Sequence, residues 1–303
     1  MRICSLLPSA TEIVYALGLG DAVVGVSHEC DYPPAALAKP RIIHAAIDQE
    51  QSSSLDIDRA VKAAMQTHGS LYRIDEDALR RARPDLVITQ SLCEVCAVDI
   101  AGVQRAVRAL KPPPQVVSLH PHTLGELFEE IRMLGHVTNR SVEAGRLVGA
   151  CVRRLERLRE RLAPIAAAPS VFCLEWLEPP MASGHWVPEM VELAGGREVL
   201  GKAGAPSRYV TWDEVVGARP EVLIMMPCGF SIERTRRELP RLSSQPWWDE
   251  LPAIRSGRVH LVNSPAYFSR PGPRLVDGVE LLAGLLHPEI SQPIASTDAC
   301  AAL

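Results

Sequence analysis

Twice along this chain, short apolar runs alternate with helix-patterned stretches, and the two series are separated by one long tract of unbroken helical periodicity. No other feature limits the available folds so sharply. An apolar run, a helix and a second apolar run make a βαβ unit, and its strands lie parallel.

The first series reads RICSLL (strand), TEIVYALGLG (helix), AVVGVS (strand), DIDRAVKAAMQTHG and DEDALRRAR (helices), PDLVITQ (strand), AGVQRAVRALK (helix) and QVVSLH (strand). SATE at 9–12 has the form of a capping box, with Ser9 as N-cap and Glu12 reaching back. TLGELFEEIRMLGHVT and SVEAGRLVGACVRRLERLRERL then read as consecutive helices. The second is about 22 residues long, or ~33 Å at 1.5 Å per residue. After APIAAAP the alternation resumes with SVFCLEW, VPEMVELAGG, TWDEVVGA, EVLIMMP, RVHLVN and PRLVDGVELLAGLLH. The two series echo each other: ARPDLVITQSLC at 82–93 aligns with ARPEVLIMMPC at 218–228. The expectation is an α/β protein of two related Rossmann-like lobes, 1–122 and 169–303, joined by a stiff helical segment at 123–168.

At 303 residues the chain is long enough for two cores, and 47% hydrophobic with 22% charged residues is ordinary globular composition. The net charge of -4 and the absence of any lysine or arginine run exclude nucleic acid and acidic membrane as expected partners. RRLERLRERL alternates sign at helical spacing and reads as a solvated helix face. No apolar segment approaches the ~20 residues of a membrane span. MRICSLLPSATE lacks the apolar core of a secretory signal. The expectation for the chain as it stands is therefore cytoplasmic, with a periplasmic location as the alternative if a leader precedes it. Eight cysteines are too few for a disulfide scaffold.

Ligands of open α/β sheets bind outside the carboxyl ends of the strands. In the first series those positions hold Pro8 and Ser9, then His28, Glu29 and Cys30 with Tyr32 beyond, then Gln90 with Cys93 and Cys96, then His120. In the second they hold Glu175 and Trp176, then Cys228 and Phe230, then Tyr267, Phe268 and Arg270. The loop SGHWVPEM adds His185 and Trp186 ahead of a helix. Only 5% of the chain is aromatic, yet Trp176, Trp186, Tyr267 and Phe268 all fall in these loops. Such clustering suits stacking against a flat, partly apolar ligand. Arg270 suits a carboxylate, amide or phosphate.

Cys93 and Cys96 form a single C-x-x-C, which is open to three readings. The thiols line a ligand pocket, or they join His28 and Cys30 in a zinc or iron site, or they form a redox pair before a helix. His185 reads either as a ligand contact or as an axial ligand to a chelated metal, since neutral imidazole suits cobalt, iron and zinc. A hydrolase or lyase using Glu175 and His185 as acid and base is a further reading. No phosphate-binding, dinucleotide-binding, nucleophile-elbow or zincin motif is present.

SLLPSATEIVYALGLGDAVVGVSHECDYP, the TQ…C-x-V-C-A loop, EWLEPPMASGHWVPEMVELAGG and AYFSRPGPR together resemble the cobalamin-binding substrate-binding proteins of ABC importers. The resemblance spans roughly 1–290. It implies the class III periplasmic-binding-protein fold, two α/β lobes on a rigid helix, with the ligand in an interlobe cleft. It implies a cobalamin-like corrinoid or related metal chelate as ligand, no required cofactor, no enzymatic activity and an ABC permease as partner. By position, its cleft-lining segments fall on Pro8-Ser9, 28–32, 90–93, Glu175-Trp176, His185-Trp186 and 267–270. Exported members carry a signal or lipid-anchor cysteine, whereas Cys4 here lies in the first strand. A cytoplasmic corrinoid carrier is the corresponding alternative.

Overall fold

The computed structural model describes residues 1–45, 52–68, 71–90, 100–289 and 299–302. Cys93 and Cys96 lie outside them. The chain divides into two compact units. The first comprises 1–52, 56–121 and 126–149; the second comprises 53–55, 122–125 and 150–303.

The elements of the first series are β1 (Ile3–Ser5), α1 (Pro8–Ala16), β2 (Val23–Ser27), β3 (Arg41–Ala45), α2 (Ser54–His68), β4 (Tyr72–Ile74), α3 (Glu76–Ala82), β5 (Leu86–Gln90), α4 (Ile100–Arg108) and β6 (Gln115–Leu119). Helices α5 (Leu124–Val137) and α6 (Ser141–Leu162) follow. The sheet runs β4-β3-β2-β1-β5-β6, and every pair is parallel except β3 with β4. Parallel strands covered on both faces need continuous apolar runs, and β5 is buried at all five positions. Cys4 pairs with Gly25 of β2 and Val87 of β5. A Cβ at residue 25 would lie 2.5 Å from Ile42 Cγ1, so the close approach of β2 to β3 needs glycine there. Cys4, Ile42, Leu79, Val87, Val103 and Val107 belong to one core cluster on this sheet.

The second series contains β7 (Ser170–Trp176), β8 (Met181–Ala182), α7 (Val187–Leu193), β9 (Arg197–Glu198), β10 (Arg208–Tyr209), α8 (Trp212–Ala218), β11 (Val222–Met225), α9 (Ile232–Ser243), α10 (Pro252–Arg255), β12 (Val259–Val262), α11 (Ser264–Tyr267), α12 (Leu275–Leu286) and β13 (Cys300–Ala302). Its sheet runs β10-β8-β7-β11-β12-β13, with β9 alongside the start of β7. The centre, β7-β11-β12, is parallel, and antiparallel strands flank it. The packing of α12 is tight. A Cβ on Gly278 would lie 2.4 Å from the Tyr267 carbonyl oxygen and 2.7 Å from Met190 Cε.

The echoed ARP segments adopt the same local structure. Helix α3 ends at Ala82 and α8 at Ala218; the next residues, Arg83 and Arg219, take φ of 43° and 50°. The left-handed residue stops the helix, and the proline after it prevents resumption. The acidic residue then ties in the first strand of its unit. Asp85 accepts from the Arg2 N–H at 2.7 Å, and Glu221 accepts from the Ser170 N–H at 2.7 Å. Their own amides donate back to the Arg2 and Ser170 carbonyls at 2.8 and 2.9 Å.

The capping box expected at SATE is not formed. Leu7 is the N-cap of α1, Pro8 opens the helix, and no side chain caps it. Proline is well suited to the first helical turn because it lacks a donor there anyway, which moves the start one residue ahead of Ser9. The hydroxyl of Thr11 instead donates to Ser5 Oγ at 2.8 Å and lies 3.1 Å from Cys30 Sγ. The other T-x-x-E, Thr211 with Glu214, does form the box, with both reciprocal bonds present.

Candidate functional site

Because β3, β2, β1, β5 and β6 run parallel, their carboxyl ends share one edge of the first sheet. That edge carries Pro8, His28 and Gln90. His28 is half-buried with its ring 5.6 Å from Tyr72, and its Nδ1 is enclosed without a hydrogen-bond partner. Burial pushes its pKa down, partly countered by Glu29. Cys30 is fully buried, with Ser27 Oγ 3.2 Å away, and Arg41 donates to its carbonyl. Such a thiol has no surface to present. Tyr32, two residues on, is exposed. Among the described residues no group of three or more His, Cys, Asp or Glu is arranged to hold a metal ion.

In the second unit, Glu175 and Trp176 end β7, Cys228 follows β11 and Asn263 follows β12. Glu175 accepts from the Gly184 N–H at 3.2 Å and from Ser207 Oγ at 2.8 Å. It is therefore an anchor for the loop that carries His185. The indole of Trp176 donates to the carbonyls of Ser54 and Glu178 at 3.2 Å. Its ring meets Phe230 edge-on at 5.2 Å. The Arg234 guanidinium lies 4.4 Å over Phe230 and pairs at 3.2 Å with Glu238, which also receives the Ser54 amide and hydroxyl. Trp176 is half-buried, whereas Phe230 is 3% exposed. The tryptophan offers a face, and the phenylalanine supports it.

His185 arrives on the hairpin return after β8. Its φ is 50°, and it leads directly into α7. Non-glycine residues in this region cost energy and persist only where the surroundings enforce them. Here the enforcement is visible. The His185 N–H donates to Ala205 O at 2.6 Å, and its carbonyl accepts from the Gly204 N–H at 2.8 Å. Gly184, just before it, is so crowded that a Cβ would lie 2.3 Å from Ser207 N. The His185 ring is half-buried between two others, with His122 5.4 Å away and Trp186 5.6 Å away. Burial, reinforced by His122, pushes its pKa down. Trp186 is buried, and its indole donates to Phe268 O at 2.7 Å. Phe268 is 1% exposed, so both residues brace the loop from within.

The remaining positions are less concentrated. Tyr267 lines a small recess with Asp277, Glu280, Leu281 and Ala299, next to α12. Arg154 of α6 pairs with both of those acids. Cys228 is half-buried, and its N–H donates to the Glu175 carbonyl at 3.0 Å. Arg270 is half-buried in the loop after α11. Four residues of this assembly escaped the sequence reading: His122, Ser207, Arg234 and Glu238. Ser207, Arg234 and Glu238 lie outside the strand-end loops that the carboxyl-end rule selects, and only the fold reveals them; His122 stands in the loop after β6, two residues beyond the His120 that the rule picks out.

Two α/β units, each with a parallel-cored sheet, the second carrying imidazole, indole and polar groups on a braced loop, define a small-molecule binding protein. The chain belongs to the periplasmic binding protein family, whose sequence pattern matches residues 3–266. That family is one of binding proteins, not enzymes. A vitamin B12-binding protein of Vibrio cholerae serotype O1 is 27% identical over 293 residues, covering 92% of this chain and 86% of the relative. Among solved structures, the periplasmic vitamin B12-binding protein BtuF of Vibrio cholerae superposes with a TM-score of 0.66 at 24% identity, over 96% of this chain and 98% of that one. The periplasmic heme-binding protein RhuT of Roseiflexus sp. RS-1, in apo form, superposes with a TM-score of 0.71 at 21% identity, over 96% and 99%.

Proposed function

We propose that the protein binds a cobalamin-like corrinoid as the substrate-binding component of an ABC-type uptake system. One observation carries the reading. The rigidly braced His185, with its imidazole reaching solvent beside His122, lies in a chain that matches a vitamin B12-binding protein along 92% of its length. A corrin is flat, partly apolar and edged with amides. The indole face of Trp176 suits its plane. Backbone and polar groups of the braced loop suit its edge. No covalent step is needed, so Glu175 holds the loop and is not an acid or base. Export and docking on a permease belong to the same proposal. They are supported by the periplasmic relatives, and no helix among the described residues is long and apolar enough to cross a membrane.

Isothermal titration of the full chain against cyanocobalamin, cobinamide, haem and Zn²⁺ tests the reading. Saturable binding of the two corrinoids at one site is expected. Saturation by haem or Zn²⁺ with no heat from either corrinoid would overturn it.

A further inference from the structure

The reading of a corrinoid ligand leaves one feature unused: a strained, clamped histidine with a second imidazole tilted against it, ring centroids 5.4 Å apart. Stacking on a macrocycle needs neither the strain nor the pair. A bare metal ion is also poorly served. Two imidazoles fall short of the ligand set that protein metal sites use, and no larger set exists among the described residues. The arrangement instead suits a metal that arrives with most of its ligands and has one exchangeable position.

We propose, resting on the corrinoid reading, that the His185 imidazole coordinates the cobalt of a cobalamin whose upper axial position holds water, and that His122 positions it. The exchange is simple. The cobalt–oxygen bond to water breaks, a cobalt–nitrogen bond forms with the lone pair of neutral imidazole, and water leaves. No proton or electron moves.

Three observations support the assignment. Both backbone polar groups of His185 are tied to the 204–205 segment, at 2.8 and 2.6 Å, so the ring projects from a fixed point. Neither ring nitrogen has a hydrogen-bond or ion-pair partner among the described residues, while the rings of His122 and Trp186 flank it at a tilt, 5.4 and 5.6 Å away. His122 is itself placed by the segment 122–125, where the Leu124 N–H donates to Glu189 of α7 at 2.9 Å. Both histidines therefore rest on the same helix-and-loop framework in the second unit. A preorganised ligand of this kind loses little freedom on binding.

The absorption spectrum of bound aquocobalamin reads the coordination directly. In the unaltered protein, its bands should move to longer wavelength, as they do when free imidazole displaces the water. Methylcobalamin, whose upper position is taken by carbon, should bind with no such change. His185→Asn keeps a residue that tolerates left-handed φ. It should bind both cobalamins equally, without the shift. His122→Phe keeps a ring beside His185 and should retain the shift with weaker preference for aquocobalamin. If the unaltered protein binds both forms and neither spectrum changes, the coordination is wrong and the corrinoid reading stands. If neither cobalamin binds, the corrinoid reading fails and takes this inference with it. A shift that survives His185→Asn and vanishes in His122→Phe would assign the bond to the wrong histidine. The comparison of two cobalamins on the unaltered protein decides the matter even if a variant fails to fold.

Discussion

Glu198 is a carboxylate of β9, half-buried in the second unit. Its acceptors are filled by the backbone N–H groups of Leu200 and Gly201, each at 3.2 Å, and of Cys173 at 3.1 Å. Burial still pushes its pKa up, more than those donors pull it down, and the adjoining Cys173 thiol is pushed up as well. The sign for stability follows. The folded state holds the Glu198 proton more tightly than the unfolded chain does. The group's contribution is thus complete below the ordinary carboxylate value of about 4.3. It is lost as pH rises from there through the raised folded value. Glu198→Gln has no such titration. Urea unfolding of both proteins from acid to neutral pH should show the native protein losing stability relative to the variant as pH rises. Parallel curves would contradict the assignment. Nothing in the sequence REVL marks this residue, since its character comes from burial between β7 and the 199–204 segment. His28 and His185 differ in this respect. Their positions at strand ends and in a loop were visible in sequence, whereas the ring partners Tyr72 and His122 were not.

At the scale of elements, the parallel strands were legible because a buried strand must be continuously apolar, and β1, β2, β5, β6, β7, β11 and β12 all fall where such runs stand. Elements outside that rule were not. Helix α9 has a strongly charged sequence with Pro240 inside it, so neither strand nor core-facing helix is apparent. Strand β3, RIIHA, is short and half-polar. Strands β8 and β10 have two residues each and exist only through pairing. The two T-x-x-E-like starts show the limit of a motif. SATE yields to Pro8, while TWDE forms its box because no proline competes. The echoed A-R-P-acid segments were legible as a repeat, but their purpose became clear only from the bonds of Asp85 to Arg2 and of Glu221 to Ser170. Glu221→Ala removes the acceptor at the head of β7 and leaves the Ser170 N–H and hydroxyl to water. A loss of about 1 kcal/mol is expected for a hydrogen bond of this kind. Asp85→Ala should act in the same direction at the head of β1. Chemical denaturation measures both, and an unchanged midpoint in both would show that the shared turn owes nothing to its acid.

At the scale of the whole molecule, the division found by compactness falls between Gly149 and Ala150, within α6, instead of at the ends of the helical tract. Sequence periodicity locates a helix but carries no information on which core each turn joins. That division has a practical consequence. All five tryptophans, at 176, 186, 212, 247 and 248, lie in the second unit. Indole fluorescence therefore follows the unfolding of that unit alone, while far-ultraviolet circular dichroism follows the helices of both. A ligand that binds only folded protein stabilises it by about 2.7 kcal/mol at a hundredfold excess over Kd. For a unit of this size that corresponds to a rise of about 5–10 °C in Tm. If Trp176 and His185 are ligand contacts, the fluorescence-detected transition should rise by that amount with cyanocobalamin and stay put with the same excess of an unrelated chromophore of similar absorbance. A rise seen by circular dichroism with the indole transition unmoved would remove the contacts from the second unit, and with them the role given to its histidine pair.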